Sequence, residues 1–134
     1  MNGYLLDSHS LLWSIDETEK LSRPVFEIIS NRDNTIYVSS VTFWEISIKT
    51  ALGKLSLENY TALELLKIAQ GPMGLVLLPL SPVEAATFCQ LPVTRHKDPF
   101  DRMLIWQAIS RELVLISKDC QFDQYQEYGL KTLW

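Results

Sequence analysis

Cysteine is scarce in this 134-residue chain, where Cys89 and Cys120 are the only two. They lie far apart, and no basic n-region with a small-residue cleavage site opens the sequence, so neither a disulfide framework nor export is expected. The chain reads as cytoplasmic and reduced. Long apolar runs are also missing: the longest candidates, Gly74 to Leu80 and Leu113 to Ile116, are strand-sized against the ~20 residues a membrane helix needs. A basic excess is absent too. The net charge of -4 argues against a broad nucleic-acid-binding field and leaves only local clusters for such contacts. No glycine-rich phosphate loop occurs, since Gly71 and Gly74 flank Pro72-Met73 without the lysine-bearing pattern. Linkers, repeats and charge blocks are lacking as well, so residues 1–134 read as one domain. A domain near this length buries about 68–70% of its unfolded surface, enough for a core without staples.

What is present is an alternation of strand-length apolar runs with helix-period segments. The expected strands are Gly3 to Asp7, Thr35 to Ser39, Leu75 to Pro79, Val114 to Ser117 and a less marked fifth at Leu130 to Leu133. Helices are expected over Ser8–Ile15, Arg23–Asn31, Thr42–Leu52, Ala62–Gln70, Pro82–Gln90, Pro99–Glu112 and Gln121–Tyr128. This order predicts an α/β fold with a central parallel sheet of four to five strands flanked by helices. Ligands of such sheets sit beyond the carboxyl ends of the strands. Two expected strands end near an acid, YLLD at Asp7 and LVLISKD at Asp119, just past Ser117.

Four acids stand out, each with an ordinary structural explanation beside a functional one. Glu45 falls within an apparent apolar stripe of Val41, Trp44, Ile48 and Leu52, and burying a carboxylate costs several kcal/mol without compensation. An i,i+4 pair with Lys49 is the plain account, worth only about 0.2–0.5 kcal/mol on an exposed face. Asp98 before Pro99 matches a helix N-cap with proline at the first helical position. Asp101 then occupies the capping-box position, yet it aligns with Ile105, Ala108 and Ile109 and should point toward the sheet. Asp7 and Asp119 both fit N-caps between a strand and a helix. Taken together, Asp7, Glu45, Asp101 and Asp119 converging on one sheet edge would repel one another unless a multivalent cation sat among them. All-oxygen donors suit Mg2+ or Mn2+, ions that act on phosphates. Zinc is disfavoured, because His9, His96, Cys89 and Cys120 show no ligand spacing.

Competing constellations are weaker. Ser8, His9 and Ser10 lack a nucleophile elbow and read as helix capping. Trp13, Trp44 and Trp106 read as core rather than as base-stacking platforms. Lys49, Lys54, Arg95, Lys97, Arg102 and Lys118 lie near the acids in sequence and would suit phosphate contact, although solvated surface is the default for any one of them.

The segments LLDSHSLLW, YVSSVTFWEISIKTALGKL, LPVTRHKDPFDRMLIWQA and ISKDCQF, with a tryptophan at the chain end, span essentially the full length. In order and spacing the chain resembles the PIN-domain ribonucleases of the VapC toxin type. The resemblance implies a PIN-like fold and an Mg2+- or Mn2+-dependent endoribonuclease toxin, acting as a homodimer and silenced by a cognate antitoxin. By position it places the family's acids on Asp7, Glu45, Asp101 and Asp119, with Ser117 as a supporting hydroxyl. Asp98 is an additional supporting acid on its capping role. Where many relatives carry a further acid this chain has Gln121, so one well-held ion is expected. The alternative is a PIN-like module that grips RNA or antitoxin without cutting. A haloacid-dehalogenase-type phosphoryl hydrolase ranks last, because His9 stands where it needs a second aspartate.

Overall fold

A computed structural model of the chain describes residues 3–134. Five short strands, β1 (Gly3–Leu6), β2 (Thr35–Ser39), β3 (Val76–Leu78), β4 (Val114–Ile116) and β5 (Lys131–Leu133), form one sheet. The order is β3-β2-β1-β4-β5, and every neighbouring pair is parallel. Alternation along a strand sends successive side chains to opposite faces, and both faces here are covered. Leu5 and Leu115, paired across the ladder, enter a core with Leu104, Ile105, Phe122 and Tyr125. Leu6 and Ile116, the next pair, enter a second core with Val38, Leu11, Val25, Ile46 and Leu65. The fold is α/β, as expected, with a parallel sheet between helical layers.

The helices are α1 (Ser8–Asp16), α2 (Arg23–Ser30), α3 (Ser40–Ala51), α4 (Ala62–Gln70), α5 (Pro82–Thr87) and α6 (Pro99–Arg111). Each begins on a side-chain cap. Asp7, Ser22, Ser39 and Asp98 accept from first-turn N–H groups, while Thr61 with Glu64 and Ser81 with Glu84 form complete capping boxes. Asp7 therefore starts α1 instead of ending β1. Two expected helices are altered: Pro82–Gln90 divides into α5 and a 3-10 turn at Phe88–Gln90, and the segment Cys120–Tyr128 is 3-10 throughout.

The stripe expected on α3 is also corrected. The buried face is Val41, Thr42, Glu45 and Ile46, with Val41 in one core and Ile46 in the other. Trp44 is 59% exposed, so it is not a core residue; it meets Phe100 edge-on at 5.3 Å. Trp13 and Trp106 are half-buried. Because α3 serves both cores, its inward face is rotated from the single stripe that periodicity suggests, and Glu45 is buried on that rotated face.

A buried polar network ties β2 to α5 and α6. Ser39 Oγ donates to Gln107 Oε1 at 2.6 Å, and Gln107 Nε2 donates to Glu84 Oε1 at 3.2 Å. Arg111 Nε and Nη2 close on the Glu84 carboxylate at 2.6 and 3.1 Å. Burial alone would raise the Glu84 carboxyl, but bonds from Arg111, the Ser81 N–H and Gln107 outweigh it and hold the pKa at about 2, below its ordinary 4.5. A depressed folded pKa gives stability that is present above about 4.5 and lost as pH falls toward about 2. Glu84→Gln is therefore expected to cost about 1.5–3 kcal/mol at pH 7, the range for hydrogen bonds to a charged group. Its gap from the parent should narrow as the medium is acidified below 4.5. Thermal unfolding by circular dichroism at several pH values checks this; identical midpoints at pH 7 would show that the network contributes nothing.

Candidate metal centre

The strand order reverses between β1 and β4, and a crevice forms at such a point beyond the carboxyl ends. Asp7 follows β1, Ser39 leads from β2 into α3, and Ser117 and Asp119 follow β4. Asp7 is buried, and its Oδ1 accepts from Ser10 N at 2.9 Å. Burial raises its pKa, opposed by hydrogen bonds from Ser10 and Ser117 and by the nearby His9. Ser117 is buried too, and its Oγ accepts from Asp119 N at 3.0 Å. Asp119 is exposed and caps the following 3-10 segment through Gln121 N at 2.9 Å. Asp7, His9, Trp13, Lys118 and Asp119 line one shallow pocket.

The tightest gathering of acids lies between α3 and α6. Glu45, Asp98 and Asp101 each offer a carboxylate oxygen, and the three atoms lie within 4.8 Å of one another. Glu45 is held by Ser8 Oγ at 2.5 Å and by Lys49 Nζ at 2.6 Å. Asp98 Oδ1 accepts from the N–H groups of Phe100 and Asp101 and so caps α6. Asp101 Oδ2 lies 2.9 Å from His96 Nε2. Burial pushes the Asp101 carboxyl up to about 6, and the like charge of Asp98 adds to this. His96 pulls the other way, and Glu45 contributes a further upward push.

Sequence-selected residues are thus distributed over two adjoining positions. Glu45 and Asp101 come together, joined by Asp98; Asp7 and Asp119 share the neighbouring pocket and lie outside the close trio. Ser8, next to Asp7 in the chain, bridges the two through its bond to Glu45. Lys54 returns to the site because Gly53, at φ 71°, turns the chain so that Lys54 N bonds to Lys49 O at 2.8 Å. Lys49, Lys54, Ser8, His9 and Glu45 then line one small groove. Arg102 has a different task from phosphate contact: its guanidinium holds the carbonyls of Leu91 and Pro92 and lies over the Phe88 ring. His96 was weighed only as a zinc ligand; its place two residues before Asp98 and five before Asp101 was the available signal.

The donor set suits a hard divalent ion. It is made only of carboxylates, with no thiolate or imidazole in the trio. The three oxygens are near enough to share a small divalent ion, with water making up part of the contacts, as is usual for Mg2+. Thr42 Oγ1, on the same buried face of α3 as Glu45, is the one buried side-chain polar atom without a hydrogen-bond partner among the described residues.

Residues 4–128 match the PIN domain family, and the chain belongs to it. Among its relatives is Ribonuclease VapC22 of Mycobacterium tuberculosis (strain ATCC 25618 / H37Rv), 25% identical over 134 residues and aligned along the whole of both chains. Two solved structures share the fold. One is VapBC2 from Rickettsia felis bound to a DNA fragment from their promoter, with a TM-score of 0.69, 16% identity and coverage of 98% of this chain and 97% of that one. The other is DNA-bound VapBC from Salmonella typhimurium, with a TM-score of 0.65, 21% identity and coverage of 99% and 98%.

An acid whose folded pKa is raised withdraws stability as pH increases. Between 3.8 and about 6 the folded chain binds the Asp101 proton more tightly than the unfolded chain, so stability falls across that window and stays lower above it. Asp101→Asn should therefore raise the melting midpoint of metal-free protein by a few degrees at pH 7 and leave it nearly unchanged at pH 4. Mn2+ should raise the parent's midpoint at pH 7 and have little effect on the variant. Calorimetric melts with and without the ion check both; an equal response of parent and variant would remove Asp101 from the site.

Proposed function

We propose that the chain is a metal-dependent endoribonuclease toxin that hydrolyses phosphodiester bonds in RNA and is silenced by a cognate antitoxin. The observation that carries this reading is the trio Glu45, Asp98 and Asp101 gathered from two helices at the carboxyl edge of a PIN domain. The name of the relative VapC22 and the VapBC complexes among the fold's neighbours support it.

In this reading Glu45, Asp98 and Asp101 would hold Mg2+ or Mn2+, and Asp7 and Asp119, in the adjoining pocket, would orient water beside them. The bound ion supplies positive charge to the phosphoryl oxygens and lowers the pKa of water. Asp7, buried with a raised pKa in the adjoining pocket, would be suited to hold or give up a proton beside the site. Ser117 and Ser10 orient the Asp7 carboxylate, and Ser8 orients Glu45. Lys49 and Lys54, on the rim of the same groove, offer contacts to the phosphates flanking the scissile one.

Replacing Asp7 by Asn is expected to lower Mn2+-dependent cleavage of labelled RNA by at least ~100-fold, the lower range for loss of a general acid-base group, with the circular dichroism spectrum unchanged. Full activity in that variant would remove Asp7 from the mechanism. RNA retained by the parent without any cleavage, in the presence of either ion, would instead support the non-cutting module.

The same reading includes a homodimer. Trp44, Leu80 and Val83 are exposed apolar side chains at 59%, 36% and 69%, and a nearly wholly apolar depression formed by Val41, Trp44, Phe88, Phe100 and Met103 lies among them. Burying such a surface against a second copy removes apolar area from water. Trp44→Glu should shift the purified protein to monomer in analytical ultracentrifugation; an unchanged dimer would place the interface elsewhere.

A further inference from the structure

The segment between the 3-10 turn at Phe88–Gln90 and α6 contains no regular element, yet it is fastened at several points. Arg102 bonds the carbonyls of Leu91 and Pro92 at 3.1 and 3.3 Å. Thr94 Oγ1 donates to Tyr125 Oη at 2.7 Å and accepts from His96 N at 3.2 Å. Tyr125, fully buried, donates its hydroxyl to the His96 carbonyl at 3.1 Å. Both backbone polar groups of His96 are thus engaged, the N–H by Thr94 within its own turn and the carbonyl by Tyr125 from the distant 3-10 segment.

The imidazole is equally confined. It is 9% exposed, and the Phe122 ring meets it edge-on with centroids 5.8 Å apart. Its remaining polar commitment is Nε2 to Asp101 Oδ2 at 2.9 Å. The other oxygen of Asp101, Oδ1, has no protein hydrogen bond among the described residues. A ring so enclosed is poorly placed to reach a substrate phosphate. It is well placed to fix the orientation of the Asp101 carboxylate, which lies in the trio with Glu45 and Asp98.

We propose that His96 is a positioning residue for the metal-binding carboxylate of Asp101, with the Thr94–Tyr125 bonds fixing the imidazole and the imidazole fixing the acid. The inference rests on the metal-centre reading above. Carboxylate ligands are oriented by hydrogen-bonding partners behind them, and loss of such a partner typically lowers metal affinity or activity by about 10–100-fold. Glu45 has Ser8 in this role and Asp98 has its capping bonds. For Asp101 the orienting group is His96, contributed by the loop preceding α6.

The test measures Mn2+ binding to the purified full chain by the electron paramagnetic resonance signal of the free ion, at one fixed pH. His96→Leu removes the donor and should weaken binding by about 10–100-fold. His96→Asn, whose amide is too short, should do the same. His96→Gln carries its amide nitrogen near the position of Nε2 and should return affinity to within a few-fold of the parent. Parental affinity in folded His96→Leu would overturn the inference, as would His96→Gln binding as weakly as His96→Asn, since packing alone would then explain the loss. If His96→Leu does not fold, the two amide variants decide between these outcomes. A parent that takes up no Mn2+ would overturn both this inference and the metal centre; parental binding abolished by Asp101→Asn but indifferent to His96→Leu would overturn only this one.

Discussion

Carboxylates forced to share a small volume repel one another, and the cost rises as water is withdrawn from around them. That constraint governs the region between α3 and α6. Asp101 answers it with a pKa raised to about 6, so that it keeps its proton over a wider acid range, and Glu45 by engaging the Lys49 ammonium. Both answers leave acids without a full counter-charge, which is what the proposed divalent cation would supply. Lys49 is a single charge on a half-exposed flexible stem, and a proton on Asp101 serves only one of the three acids.

The rest of the fold supplies the rigidity that keeps those acids from drifting apart. The parallel sheet brings the ends of β1, β2 and β4 to one edge, and paired cores on its two faces clamp α1, α3 and α6 above that edge. Capping then fixes local direction, so residues such as Asp7 and Asp98 can serve helix geometry and still present oxygen to the crevice. A cap spends one lone pair on the backbone and retains others, which removes the opposition between structural and functional roles.

Much of this was legible in the sequence because it depends on local chemistry. Apolar runs bounded by caps located every strand within a residue or two, and their alternation with helices implied a parallel sheet. Asp98-Pro99 marked the start of α6, and the inward line of Asp101, Ile105 and Ala108 was sound: Ile105 and Ala108 are buried in the core and Asp101 is half-buried beside them. What eluded the sequence was non-local. The orientation of α3 depends on two cores at once, so Trp44 faces solvent where a single stripe would have buried it. Asp98 joins Glu45 only because two helices distant in the chain converge, and no spacing rule reports that. His96 was hidden for a similar reason, since its significance lies in Thr94, Phe122 and Tyr125 around it.

The bond between Ser39 and Gln107 carries a further meaning. Ser39 starts the helix that bears Glu45, and Gln107 lies less than two turns along from Asp101, so this contact, with the shared core, ties the two acid-bearing helices to each other. The spacing between the carboxylates therefore depends on the scaffold behind them. A substitution at Ser39 or Gln107 would shift one acid-bearing helix against the other while leaving every acid in the sequence unchanged.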